Sequence, residues 1–316
     1  MNTRLFALLL LPFTLGCEPE PGSTEQPNTS DATDKLTVVC TTGMIADAAL
    51  SIAGEHANVV ALMGPGVDPH LFPMSRKDQG RLLAADVVLY HGLHLEGKMA
   101  TFLKDLKKKT DRKRTVSAVA ETIPDDRLIR SELFGEYPDP HVWFDLKLWK
   151  VAVNETLRTL SEADPAHAAD YKRRGGEYLA KIDETHDWAV SKLEGLPKET
   201  RRIVTSHDAY NYFARAYSFD VHGLQGISTE SRAGIRDIEK AVRYVQTHKV
   251  PMIFAETSVN ASGVEAVSKQ SGAKISPKKL YSDALGAAGS PEATLLGMFR
   301  HNLTTIVDAL STGEAK

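Results

Sequence analysis

The stretch LTVVCTTGMIADAALSIAGEHANVVAL, residues 36–62, decides the fold. Residues 36–40 form a short apolar run of strand length. A helical segment follows near residues 45–54, and residues 59–62 return to a strand-length run. Outward from there the pattern continues with a helix near 76–84 and another apolar run at 86–90. Strand and helix in alternation predict a small parallel sheet flanked by helices. The same alternation resumes beyond position 200, with strands at 202–206 and 252–255 and helices around 210–217, 238–247 and 264–270. The second half repeats the first, so the fold class is α/β with two lobes.

Between the halves lies a long helical pattern. Asp164-Pro165 supply an N-cap and first-turn pair, and Gly195 and Pro197 close it. At 1.5 Å per residue it would run roughly 45–50 Å, enough to span both lobes. Tyr178, Ile182, Trp188 and Leu193 keep helical spacing. Gly175-Gly176 weaken the pattern by about 1 kcal/mol each relative to alanine and mark where a kink or break would fall. Such a strut predicts small closure motions rather than large ones. The expected organisation is a signal peptide at 1–17, a tether at 18–35, an N-terminal lobe at 36–163, a linking helix at 164–197 and a C-terminal lobe at 198–316.

Composition bounds the partners. With 316 residues, 42% of them hydrophobic and 25% charged, the chain can bury two sizeable cores. A net charge of −3, with no basic run interleaved with aromatics, argues against nucleic acid. The basic run at 104–114 is broken by Asp105 and Asp111 and reads as a solvated helix end and loop. At the N-terminus, Arg4 precedes an apolar run at 5–15 that stops at Gly16-Cys17, the pattern of a signal peptide too short to span a bilayer. A cysteine after a small residue resembles the bacterial lipobox, with Thr14 where that pattern favours leucine, and implies a lipid on Cys17. Residues 18–35 are rich in Pro, Ser, Thr, Glu, Asp and Asn, too polar to repay ordering. Cys40 is then the remaining thiol. One cysteine cannot form an intramolecular disulfide, and within an apolar strand it reads as a small core hydrophobe.

Eleven histidines are present. His56, His167, His186, His222, His248 and His301 lie in polar, helical or loop settings and receive no role. His70, His141 and His207 instead stand at the ends of expected elements, where open α/β sheets place ligand groups. His70 closes Gly64-Pro65-Gly66-Val67-Asp68-Pro69-His70, in which Pro69 keeps Asp68 out of helical geometry. His141 ends a second Asp-Pro-His triplet, Asp139-Pro140-His141, and His207 follows the strand at 202–206. Asp283 lies in Tyr281-Ser282-Asp283-Ala284-Leu285-Gly286, before the final helix. Three neutral imidazoles and one carboxylate suit Zn²⁺ at about 2.0–2.2 Å, and they accept Mn²⁺ or Fe²⁺ where the coordination number rises. His91 and His94 beside Glu96 lack the spacing of a helical metal pair and read as a strand-end turn.

These four motifs resemble, in order and over nearly the whole mature chain, the ligand motifs of the zinc/manganese class of solute-binding lipoproteins of ATP-binding-cassette importers. Residues 86–96, 223–231 and 254–258 are similar to the same family. The resemblance implies two lobes joined by one long rigid helix, with one divalent ion as cargo in the cleft between them, held by His70, His141, His207 and Asp283. It implies hand-off to a membrane permease with a cytoplasmic ATPase, an extracytoplasmic location, a monomer and no catalysis. Histidine rather than glutamate at position 207 tilts ligand softness toward Zn²⁺, while residues 122–138 carry none of the histidines of a zinc-specific loop. Asp68, Asp139, Asp145, Asp208 and Glu256 are candidates to orient the imidazoles. The alternatives are a zinc-dependent hydrolase, for which no His-Glu-x-x-His pair is present, and a surface adhesin.

Overall fold

The computed structural model describes residues 35–109, 114–130 and 135–311. The expected signal peptide, Cys17 and residues 18–34 of the tether lie outside the described residues. In the N-terminal lobe, β1 (Leu36–Cys40), α1 (Gly43–Ala53), β2 (Ala57–Ala61), α2 (Arg76–Ala84), β3 (Val87–Tyr90), α3 (Ala100–Lys108) and β4 (Thr115–Ala118) follow one another. The helices α4 (Leu146–Ala163) and α5 (Ala168–Leu193) come next. The C-terminal lobe holds β5 (Arg202–His207), α6 (Asn211–Tyr217), β6 (Asp220–Gln225), α7 (Ile235–His248), β7 (Met252–Phe254), α8 (Ser262–Ser271), β8 (Lys274–Ile275) and α9 (Leu295–Ser311).

The two sheets are built to one plan. The first runs β2-β1-β3-β4 and the second β6-β5-β7-β8, with parallel pairing throughout both. In each, the first strand is central and the order reverses beside it. That reversal opens a crevice outside the carboxyl ends of the strands, where ligands bind in open α/β sheets. The strands expected from the apolar runs are present within two residues of their expected limits. The basic run begins inside α3, where Lys104, Lys107 and Lys108 are exposed. Cys40 is fully buried in the core, and burial pushes its thiol far above the usual range.

The linking helix starts later than expected. Pro165–His167 form a 3-10 turn, and α5 begins at Ala168. The Asp164 carboxylate fixes that turn, accepting from the Tyr171 hydroxyl at 2.7 Å and bonding His167 Nδ1 at 2.7 Å. With 26 residues, α5 is about 39 Å long rather than 45–50 Å. It continues unbroken through Gly175 and Gly176. The reason lies in packing: a Cβ on Gly175 would come within 3.0 Å of the Leu157 side chain on α4, so the glycine lets the two helices approach. Gly176 faces solvent with nothing within 4 Å. Gly176→Ala is therefore expected to stabilise the protein by about 0.5–1 kcal/mol, read as a rise in thermal midpoint.

Tyr171, Tyr178, Ile182, Thr185, Ala189 and Leu193 form the buried stripe of α5. The stripe meets α1 and α4 on one side and α9 on the other. A single apolar cluster thus runs from Val38 and Ile52 through Trp149 and Ile182 to Phe213, Phe299 and Ile306.

Candidate metal centre

His70 stands on the loop that leaves β2. Gly66 takes φ +71, the left-handed region open to glycine, and turns the chain back toward the cleft. The Asp68 carboxylate then accepts the His70 backbone N–H at 2.9 Å. His141 caps the short 3-10 turn Val142–Phe144 ahead of α4. One oxygen of Asp139 takes both its backbone N–H at 2.9 Å and its Nδ1 at 2.7 Å. His207 is the last residue of β5, at the point where the second sheet reverses order. Glu256 accepts its backbone N–H at 2.9 Å and bonds Nδ1 with the other oxygen. Asp283 sits in the loop between β8 and α9.

All four side chains are buried and converge. The Nε2 atoms of His70 and His207 each lie 3.4 Å from that of His141. Asp283 places Oδ1 3.3 Å from His141 Nε2, and Oδ2 3.3 Å from His207 Nε2 and 3.8 Å from His70 Nε2. Four donors at about 2.1 Å from a tetrahedral ion stand about 3.4 Å from one another. Here Asp283 faces His141 through Oδ1 and His207 and His70 through Oδ2, and one ligand atom from each of the four residues lies within 4.8 Å of the others, close enough to share one cation. With Nδ1 of His141 and His207 bonded to carboxylates, Nε2 is the lone pair left to each ring, and those lone pairs point into the same space. Both Asp283 oxygens are buried without a conventional hydrogen-bond partner. Buried acceptors in such a group require a shared positive charge.

The local field supplies the same demand. Burial alone would lower the His141 imidazole, but the Asp139 and Asp283 carboxylates outweigh it and raise it to about 9. Burial also opposes the shift at His207, where Glu256 and Asp283 carry it well above the ordinary value. Burial would raise Asp283, yet His207 and His141 hold it well below the usual carboxylate range. His70, whose ring bonds no carboxylate at Nδ1 among the described residues, is pushed down to about 3, chiefly by burial. Three carboxylates, Asp139, Glu256 and Asp283, thus favour positive charge at one point.

Of the acids expected to orient the imidazoles, Asp139 and Glu256 grip rings, and Asp68 grips backbone. Asp145 instead caps α4, accepting Leu148 N–H at 3.1 Å, and meets Arg215 at 3.3 Å. Asp208 bonds none of the three rings among the described residues; its backbone lies against Gly223, where a Cβ would come within 2.5 Å. His91 is buried against Trp143 and Trp149, and His94 stacks on Tyr137 at 4.1 Å; neither enters the cluster.

Other supports were not foreseen. Trp143 Nε1 donates to the Ser282 carbonyl at 3.1 Å, and the Tyr210 hydroxyl to the Tyr281 carbonyl at 2.8 Å. Asn302 from α9 brackets Tyr281, donating to its carbonyl at 2.6 Å and accepting its N–H at 2.9 Å. The Tyr212 hydroxyl donates to the Asp139 carbonyl at 2.8 Å, and Asn211 to the Asp139 carboxylate at 3.0 Å. Adjacency to the ligand motifs could have pointed to Trp143, Tyr210 and Tyr212. Nothing in the sequence around Asn302 sets it apart.

Comparison with known proteins gives the same picture. The family described as zinc-uptake complex component A, periplasmic, matches residues 38–309. The chain is 43% identical over 283 residues to the manganese-binding lipoprotein MntA of Bacillus subtilis, covering 88% of this chain and 91% of that one. It is 41% identical over 284 residues to the zinc-binding protein TroA of Treponema pallidum, covering 89% and 90%. The solved structure of the periplasmic zinc-binding protein TroA superposes with a TM-score of 0.84, covering 87% of this chain and 99% of that one. Two parallel four-stranded sheets bridged by one long helix, with a family match across nearly every described residue, leave one conclusion: the chain belongs to the ZnuA family of periplasmic metal-uptake components.

Proposed function

We propose that the chain is the extracytoplasmic solute-binding protein of an ATP-binding-cassette importer. It takes up one divalent transition-metal ion through His70, His141, His207 and Asp283 and passes it to a membrane permease driven by a cytoplasmic ATPase. The observation that supports it is the convergence of four buried side chains, one ligand atom from each lying within 4.8 Å of the others, with three Nε2 atoms and the two Asp283 oxygens facing one another at 3.3–3.8 Å. The protein is not an enzyme. A zinc hydrolase keeps three protein ligands and an open position for water, whereas four donors here surround the centre.

Zn²⁺ is the favoured cargo, with Mn²⁺ and Fe²⁺ as alternatives, because three imidazole nitrogens and one carboxylate suit zinc's ligand preferences. A lipid on Cys17 is supported by the lipobox-like sequence and by the lipoprotein named among the relatives. The protein acts as a monomer, with lobes at 36–163 and 198–316 and the linking segment between them. Native mass spectrometry of protein purified from its own envelope, coupled to elemental analysis, tests the reading. One equivalent of zinc is expected. One equivalent of manganese or iron would overturn the zinc preference, and absence of any transition metal would overturn the binding role.

A further inference from the structure

The donor loops are tied across the cleft by bonds of different kinds. Asp139 is held by Tyr212 and Asn211 of α6, partly through its backbone carbonyl, and the Asp283 loop is held by Trp143 through the Ser282 carbonyl. Trp143 and Tyr212 belong to the shared apolar core. The His70 loop crosses the cleft differently: the Thr229 hydroxyl donates to Asp68 Oδ2 at 2.5 Å, and the other oxygen of the same carboxylate holds the His70 N–H at 2.9 Å. One side chain therefore joins the C-terminal lobe to the backbone of a donor residue.

His70 also depends on that loop more than its partners depend on theirs. Asp139 orients the His141 ring and Glu256 the His207 ring, each directly at Nδ1. The His70 ring is aimed by the placement of its backbone. Next to Thr229 in the chain, Ile227, Ser228 and Glu230 line an open hollow of about 280 Å³ with His94 and Tyr137.

We propose that the Asp68–Thr229 hydrogen bond is a latch that sets the residence time of the bound metal, by holding His70 at the centre. When the bond opens, the loop at 64–70 swings away with His70, and the ion is left on His141, His207 and Asp283. Asp68 and Thr229 are positioning residues, acting through His70, and the inference rests on the reading of His70 as a ligand.

The test uses the full chain loaded with Zn²⁺ and mixed rapidly with excess chelator. A hydrogen bond to a charged acceptor contributes about 1.5–3 kcal/mol, so Thr229→Val, which keeps shape and removes the donor, is expected to speed zinc loss by about tenfold or more. Association should change by less than about threefold, since affinity differences within one site lie mostly in dissociation. Thr229→Ser, which restores the hydroxyl, should return the rate toward that of the unsubstituted protein. A dissociation rate for Thr229→Val within twofold of the parent overturns the latch, as does equally fast loss from Thr229→Ser. In either case tight metal binding by the parent leaves the proposed function standing, whereas a parent that retains none of Zn²⁺, Mn²⁺ and Fe²⁺ removes that function and the latch with it.

Discussion

Asp283→Ala is expected to weaken divalent-metal binding by more than about a hundredfold, measured by competition with a chelator of known affinity. The benchmark is the tenfold to hundredfold loss typical when a residue merely supporting a metal ligand is removed. Asp283 should do more, because it is the anion of the proposed donor set and lies within 3.8 Å of all three imidazoles. Without it, three neutral rings face the ion and nothing inside the donor set offsets its charge. A second readout follows from linkage: a ligand at a thousand times its dissociation constant stabilises the native state by about 4.1 kcal/mol. The rise in thermal midpoint produced by zinc in the parent should nearly vanish in the variant. An affinity within threefold of the parent would remove Asp283 from the donor set.

Glu256→Gln should lower affinity by about tenfold to a hundredfold while the metal-free protein stays folded. Glutamine fills the same volume, and its oxygen can still accept the His207 backbone N–H that now lies 2.9 Å from Glu256. What it removes is the negative charge behind His207 Nδ1. The carboxylate fixes which ring nitrogen carries the proton and makes Nε2 a better donor. An amide that turns its NH₂ toward the ring would select the opposite tautomer. Titration with zinc and circular dichroism of the metal-free variant separate the two contributions, and unchanged affinity with intact structure would show that Glu256 has no part in orienting the ring.

Much of this was legible in the sequence because the informative signals were local. The apolar runs at 36–40 and 202–206 had the length and flanks of parallel strands, and they became the central strands of the two sheets. The Asp-Pro-His triplets marked His70 and His141 at the ends of expected elements, and both side chains are buried together with His207 and Asp283. Legibility failed where structure depends on distant partners. The helix α4 carries Lys147, Lys150, Asn154 and Arg158 among its apolar residues and received no helical reading, yet it packs along α5. The break that Gly175-Gly176 left open on propensity alone does not occur, because α5 is continuous there and Gly175 packs against Leu157. Asp145 and Asp208 shared the composition of true imidazole partners, and only folded geometry separates a helix cap from a metal support.

The duplicated sheet plan suggests two modules that could live apart, but the interior says otherwise. Leu160 and Tyr171 belong to the same apolar body as Phe299 and Leu303, and α5 lies through it like a spine with flesh on both sides. A cut within that spine would leave each piece with a bare greasy wall that its counterpart now covers. The two lobes therefore lean on one interior, and disrupting α5 is expected to destabilise both sheets and the four converging side chains together.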